Sequence, residues 1–483
     1  MDHKHAVEVL AEIERLADVN ALRAGGLRIW PLLRDELWSK LLCPTSRPAT
    51  APTGAPRAAS IVGRAEARLR RWREKSRLRS VPRGEALFLS RLEDNGDCIG
   101  GEYYNRHTDP MLEFCRARMS CIKIEGTEAG TERTLPRKVA TEFLHIQSLG
   151  AAPTVLPDLE GAEPVRAALE KIGEPLRLDD EALRSATAKV LHRRDAFRAV
   201  LDHLQPRVVF VVCYYDLRVL PLLAACRERG LPTVDIQHGK QGVYHGHYTH
   251  WTRFPEGGYE LLPDYFWVWG EASRRHIAQG QPANLIRHRP VVGGNRWLAL
   301  WRKGDAFPPD AEQAAWLADV RAAKRVILVT LQPIDPPIPA AVRDAIQRSP
   351  ADWLWLLRVH PHRRGDIPKL AAELAGGGRV EFEHASSVPL YALLRVAQRH
   401  ITCWSSVAFE ADAFEVPTMI VHPSGASLYA EDLAAGRFQY TEDAAALIAW
   451  IADENPARPS AEPYIETDDA HAESALATIL ARA

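Results

Sequence analysis

From residue 86 onward, short apolar runs that lack polar alternation recur along the chain, separated by stretches of helical periodicity. The clearest are ALFLS (86–90), VVFVVC (208–213), TVDIQ (233–237), YFWVW (265–269) and VILVTL (326–331). WLWLLRVH (353–360), RVEFE (379–383), HITCW (400–404) and TMIVH (418–422) follow. Strands apolar on both faces belong to parallel sheets covered on both sides by helices. Helical spacing over 217–229, 311–323, 338–348, 388–398 and 406–415 supplies those covers. The strands are too many for one compact sheet. The pattern therefore predicts an α/β protein with two Rossmann-like domains facing a cleft, 85–290 and 291–483, with RPVVGGNRW (289–297) as the hinge. Ligands of such sheets bind at the carboxyl ends of the strands.

Residues of about 5–42 read as two amphipathic helices, with Trp30, Leu33, Leu37 and Leu41 near helical spacing, so 1–43 is expected to be a separate helical segment. A linker and a basic helix fill 44–84. PTSRPATAPTGAPRAAS (44–60) has four prolines and no apolar period. Segment 63–83 has nine Lys/Arg against two Glu, a local charge of 9 − 2 = +7. Such a run reads either as a solvated helix or as peripheral contact with anionic headgroups on the inner face of the cytoplasmic membrane.

Composition narrows the class. Of 483 residues, 46% are hydrophobic and 25% charged, which excludes a disordered chain and a small disulfide scaffold. Lys+Arg number 61 and Asp+Glu 62, so the net charge of −1 argues against a nucleic-acid partner, which would need a basic excess. No apolar run approaches the ~20 residues of a membrane-spanning helix, and the N-terminus lacks the basic-then-apolar order of a signal peptide. The seven cysteines form no CxxC pair and suit a reducing cytoplasm. GxGxxG after a strand, GxxxxGK[ST] and GxSxG are all missing, which disfavours dehydrogenases, P-loop kinases and α/β-hydrolases. With no DxD-like pair in a loop after a strand, a metal-independent mechanism is expected.

Three motifs each follow a strand. In DIQHGKQGVYHGHY (235–248), Gln237 ends the strand and His238 projects from it, followed by Gly239 and Gly242. A histidine there can serve as general base, or can be satisfied by backbone partners. His245, His247 and His250 raise the option of a metal, but neither Cys nor carboxylate lies in the loop. In LLRVHPHRR (356–364), Arg358, His360, His362, Arg363 and Arg364 crowd one strand end and would suit a phosphate or diphosphate. In HITCWSSVAFEAD (400–412), Ser405 and Ser406 precede a helix, so hydroxyls and free amides could cradle a phosphate. Glu410 lies one turn on, in reach of ribose hydroxyls.

With QHG, RVHP and SS in this order on two βα blocks, residues of about 205–450 resemble GT-B-fold glycosyltransferases of bacterial capsule and surface polysaccharides. The resemblance includes Kdo-transferase-like and polysialyltransferase-like proteins and the CDP-glycerol glycerophosphotransferases. It implies that His360, Ser405 and Ser406 hold donor phosphates and that His238 is the acceptor's base. Gln237, where the glycerophosphotransferases carry Trp, and Asn295 in the hinge are placed with the donor ligands, together with Arg358 and Glu410. Asp216 is the first candidate for a catalytic carboxylate, though it is equally placed to cap helix 217–229; Asp94, Asp97 and Glu102 are others. The implied activity is transfer of a sugar, Kdo or one like sialic acid, from a CMP-linked donor to a surface polysaccharide or lipid-linked glycan, as in capsule or lipopolysaccharide synthesis. No cofactor and no metal are expected. The rival readings are a CDP-alditol phosphotransferase, a sugar-nucleotide 2-epimerase and a non-catalytic nucleotide-binding scaffold.

Overall fold

In the computed structural model, residues 3–482 are described except 43–60, 91–95, 127–135, 151–154, 280, 283–284, 305–306, 308, 375–377 and 455–461. The chain divides into two compact units, Met1–Trp297 with Asp468–Ala483, and Leu298–Thr467. The predicted runs become strands of two sheets. Across the first run Arg289–Val292, Tyr265–Val268, Thr233–Ile236, Val208–Val212, Ala86–Ser90, Cys121–Gly126 and Glu142–Leu144, every neighbouring pair parallel. Across the second run Arg379–Glu381, Trp353–Arg358, Arg325–Thr330, Arg399–Thr402, Thr418–Ile420 and Gln439–Tyr440, again all parallel. The central strands Val208–Val212 and Thr233–Ile236 are buried throughout, the first as its unalternating apolar sequence requires.

Several boundaries differ from the sequence reading, each for a local reason. The helix expected over 388–398 is confined to Leu390–Leu394, and a separate short helix, Glu383–Ser387, precedes it. Pro389 forces Val388 into an extended conformation, ψ 142°, because its ring clashes with a helical predecessor. The helix expected over 217–229 begins at Leu220, with Pro221 in its first turn, where a missing N–H costs nothing. Residues 1–43 are not a separate segment: Val7, Leu10, Ile13, Trp30, Leu33 and Leu37 are buried in the first unit's core. Helix Trp30–Leu42 is buried on nearly every side, including Arg34 and Glu36. The segment RPVVGGNRW, expected as a hinge, contributes the edge strand Arg289–Val292, and helix Asp469–Leu480 packs on it. At Gly293, which leaves that strand, a Cβ would stand 2.0 Å from the Trp267 indole, so only glycine fits. Among the described residues no helix is long and apolar enough to cross a membrane.

Two wholly buried histidines are structural. His400, on the second unit's strand Arg399–Thr402, joins Thr330 Oγ1 (2.9 Å) to Thr418 Oγ1 (3.1 Å), tying three strands together. Burial pushes its imidazole down to about 3. In the first unit His288 accepts the Tyr259 N–H at Nε2 (2.9 Å), and its Nδ1 lies 2.6 Å from the Pro263 carbonyl, so Nδ1 carries the proton. Burial again dominates, pushing it down to about 4 against a smaller opposing effect of the Pro263 bond. Folding holds both rings neutral, whereas in the unfolded chain they titrate near ~6.5. The unfolded state therefore binds more protons below that pH, and stability falls as the pH is lowered from ~6.5 towards 4. Denaturant midpoints measured across this window should drop on acidification, and a folded His400→Asn protein should show a shallower drop, with about one proton fewer taken up on unfolding.

Candidate functional site

The carboxyl edge of the first sheet carries a dense polar assembly built on the QHG loop. Gln237, expected among the donor ligands, fastens this loop. Its Nε2 donates to the Gly239 carbonyl (2.8 Å) and to Ser273 Oγ (3.3 Å), and its Oε1 accepts the Trp269 N–H (2.7 Å). The Gln237 carbonyl also accepts the Trp269 indole N–H (3.1 Å), so both ends of the residue lock this loop to the neighbouring strand's exit. That leaves His238, half-buried, as the side chain of the motif presented at the edge. Its Nε2 lies 3.4 Å from the Tyr215 hydroxyl, and the His107 ring stands edge-on to it at 6.2 Å.

Tyr215 is fixed from the other side. Its ring stacks on His247 with centroids 3.7 Å apart and planes 11° from parallel, and His247 Nε2 lies 2.6 Å from Asp35 Oδ1. Burial, followed by the nearby Cys213 thiol, pushes the Tyr215 phenol far above its ordinary range, so it stays a neutral hydroxyl. A chain of contacts thus runs Asp35–His247–Tyr215–His238. Asp235, buried in the strand before the motif, accepts the Tyr214 N–H (3.1 Å) and the Tyr248 hydroxyl (2.9 Å), holding the loops on both sides of it.

The N-terminal helices clamp the same loop. The Arg34 guanidinium donates to the carbonyls of Gly246 (3.1 Å), Thr249 (3.1 Å) and His250 (3.2 Å) and pairs with Glu14 at 2.5 Å. Glu14 in turn accepts from the Thr252 N–H (2.6 Å) and hydroxyl (2.7 Å). Gly246 passes so close to Trp38 that a Cβ would stand 2.4 Å from the ring. His245 is half-buried, and desolvation, followed by the neighbouring His247 and His238, holds its imidazole well below the usual histidine range. Among the described residues the loop histidines do not converge as metal ligands.

Asp216 lies at the exit of strand Val208–Val212, but its carboxylate is committed to Arg218, accepting from its N–H (2.7 Å), Nε (3.0 Å) and Nη2 (2.8 Å). It does not cap the helix, which starts at Leu220; only its carbonyl accepts the Val219 and Leu220 N–H groups. Glu102, at the start of strand Glu102–Asn105, faces Lys138 at 3.7 Å. Asp94 lies outside the described residues, and of Asp97 only the strand backbone is described. Asn295, nearly buried, lines a narrow cleft with Arg106, His107, Gln237, Trp269 and Arg296.

In the second unit the cation cluster of LLRVHPHRR is largely consumed by the fold. Arg358 Nη1 donates to the carbonyls of Ala385 (2.9 Å) and Val388 (2.7 Å). Arg363 donates to Asp366 (2.6 Å) and to the Ile334 carbonyl (2.6 Å), and Arg364 to the Ser386 carbonyl (2.6 Å). Through Nη1, Arg358 therefore braces helix Glu383–Ser387. His360 is half-buried beyond the end of its strand; the side chain of His362 lies outside the described residues. Two strands across the same edge, Ser405 N–H donates to Thr402 Oγ1 (3.2 Å) and Ser405 Oγ accepts the Val407 N–H (3.3 Å), so Ser405 caps the helix that Ser406 opens. Glu410 accepts the Tyr391 hydroxyl at 2.9 Å. An open groove of about 830 Å³ lies at the opposite, amino edge of this sheet, near Arg325, Arg395 and Arg399. Those guanidinium groups bond the carbonyls of Ala452, Gly304, Trp450 and Asp453, so the groove is a poor anion site.

The sequence reading missed Tyr215, Asp35, Asp235 and the pair Arg106–His107. The last had a signal: Asn105, between a strand and a helix, accepts the His107 (3.0 Å) and Thr108 (3.1 Å) N–H groups in the manner of a cap, which places both side chains at a strand exit.

No protein-family model matches the chain, and no curated protein matches it in sequence. Solved structures do resemble it. UDP-GlcNAc 2-epimerase from Neisseria meningitidis is 12% identical, with 82% of this chain and 99% of that chain covered and a TM-score of 0.50. A Listeria monocytogenes protein provisionally named UDP-N-acetylglucosamine 2-epimerase is 14% identical, with 82% and 95% covered and a TM-score of 0.50. The likeness establishes the fold, a two-domain α/β arrangement of GT-B type.

The bracing role of Arg358 has a direct consequence. Arg358→Ala should lose stability by about 1.5–3 kcal/mol, the range for hydrogen bonds from a charged donor, and melt several degrees lower. An unchanged melting temperature together with weakened nucleotide binding would return Arg358 to the phosphate site.

Proposed function

We propose that the protein transfers a sugar from a nucleotide-activated donor, CMP-linked by its resemblance, to a hydroxyl of a surface polysaccharide or lipid-linked glycan. The observation that carries this reading is His238, set at the carboxyl edge of a GT-B-type half and approached by the hydroxyl of Tyr215 at 3.4 Å. In this reading His238 takes the acceptor hydroxyl's proton as the glycosidic bond forms. Tyr215, stacked on the anchored His247, keeps the imidazole in one orientation. In the second unit His360, Ser406 and the first amides of helix Val407–Ala413 would offset negative charge on the leaving nucleotide phosphate. Glu410, which takes the Tyr391 hydroxyl, would accept a hydrogen bond from a ribose hydroxyl in this reading. Asp216 is assigned to holding Arg218, since its carboxylate is already engaged by that side chain.

His238→Ala should bind nucleotide nearly as well as the natural protein, yet transfer sugar about 10²–10⁴-fold more slowly. The natural protein's rate should rise with pH as the imidazole loses its proton. Tyr215→Phe should keep the fold and most nucleotide affinity but displace the midpoint of that pH profile, which a merely structural tyrosine would not do. Equal losses of binding and turnover in His238→Ala would make His238 a donor ligand. Recovery of an epimerised sugar nucleotide with no acceptor consumed would replace transfer by epimerisation.

A further inference from the structure

Helix Ile61–Ser80 is attached to the first unit by one narrow face. Glu74 and Leu78 are 5% and 4% exposed, and Glu74 accepts the His145 N–H at 2.7 Å. Leu69 and Trp72, by contrast, are 48% and 66% exposed. At 3.6 residues per turn, Leu69 lies about 180° around the helix from Leu78, and Trp72 about 160° from Glu74. Two large apolar side chains three residues apart therefore form a ridge pointing directly away from the body. The same spacing puts Arg68, Lys75 and Arg79 along one flank of the ridge and Arg73 and Arg77 along the other, all exposed.

A solvated helix accounts for the charges but not for a tryptophan at their centre. Nucleic acid would be met by a ridge of indole and leucine where its phosphates need cations. A second copy of the same face would set arginine against arginine. We propose that this helix docks on an anionic lipid surface, with Trp72 and Leu69 entering the headgroup layer and the flanking cations meeting lipid phosphates. The docking is independent of the transfer reaction: it fixes where the protein sits and leaves the chemistry at His238 untouched.

The test is co-sedimentation of the full chain with vesicles of equimolar phosphatidylglycerol and phosphatidylcholine, against phosphatidylcholine alone. The protein should sediment with the anionic vesicles only, and lose that binding at about 0.5 M salt, where screening shortens to a few ångströms. Trp72→Ala with Leu69→Ala should weaken partitioning about tenfold, and Arg68→Gln, Arg73→Gln and Arg79→Gln should cost roughly fivefold each. Melting temperatures should stay unchanged, since all five side chains are exposed. No binding by the full chain would overturn the proposal, as would anionic binding that the Trp72/Leu69 variant retains in full. Retention on heparin as strong as on vesicles, likewise indifferent to Trp72, would assign the helix to a soluble polyanion instead.

Discussion

A parallel strand in the middle of a sheet must hydrogen-bond on both sides and present side chains to two apolar layers, so polar chemistry can emerge only where the strand stops. That constraint governs both halves of this protein. Thr233–Ile236, Val208–Val212, Trp353–Arg358 and Arg399–Thr402 are nearly uniform in their burial, and the residues that follow them carry the reactive groups. One exception is Asp235, a buried carboxylate one residue from a strand end. Its bonds to the Tyr214 amide and the Tyr248 hydroxyl turn that exception to use, because they fix the two loops between which Tyr215 and His238 meet. A buried carboxylate is tolerated only when hydrogen-bonded, so the same bonds that stabilise Asp235 also shape the site.

The N-terminal helices give this edge its rigidity. Arg34 holds three carbonyls of the histidine loop, Glu14 holds Thr252, and Asp35 holds His247. The ring stack on Tyr215 carries that order to His238. As the proposed general base, His238 would gain most from being held in one orientation before substrate arrives, and the restraint comes from a part of the chain some two hundred residues away in sequence.

Much of the fold could be read from the chain because buried parallel strands leave a plain mark: VVFVV and WLWLL are apolar on both faces and could belong to little else. The position of His238 after TVDIQ could be read for the same reason. What escaped was whatever depends on a distant partner. Arg358, Arg363 and Arg364 look like a phosphate site in sequence, yet each is drawn to a carbonyl contributed from elsewhere in the fold. Gln237 looks like a ligand and acts as a fastener. The pairing of Asp35 with His247 has no local signature at all. Helix Glu383–Ser387, which Pro389 separates from Leu390–Leu394, was not read from the sequence.

The central claim is that the carboxyl edge of the second sheet receives the donor's phosphates while its arginines serve the fold. A crystal structure of the protein with bound cytidine or uridine diphosphate tests this most directly. The account predicts phosphate oxygens within hydrogen-bonding distance of His360 and Ser406, with Arg358 still bonded to the Ala385 and Val388 carbonyls. Phosphates seated in the amino-edge groove beside Arg325 and Arg399, or coordinated by Arg358, would contradict it.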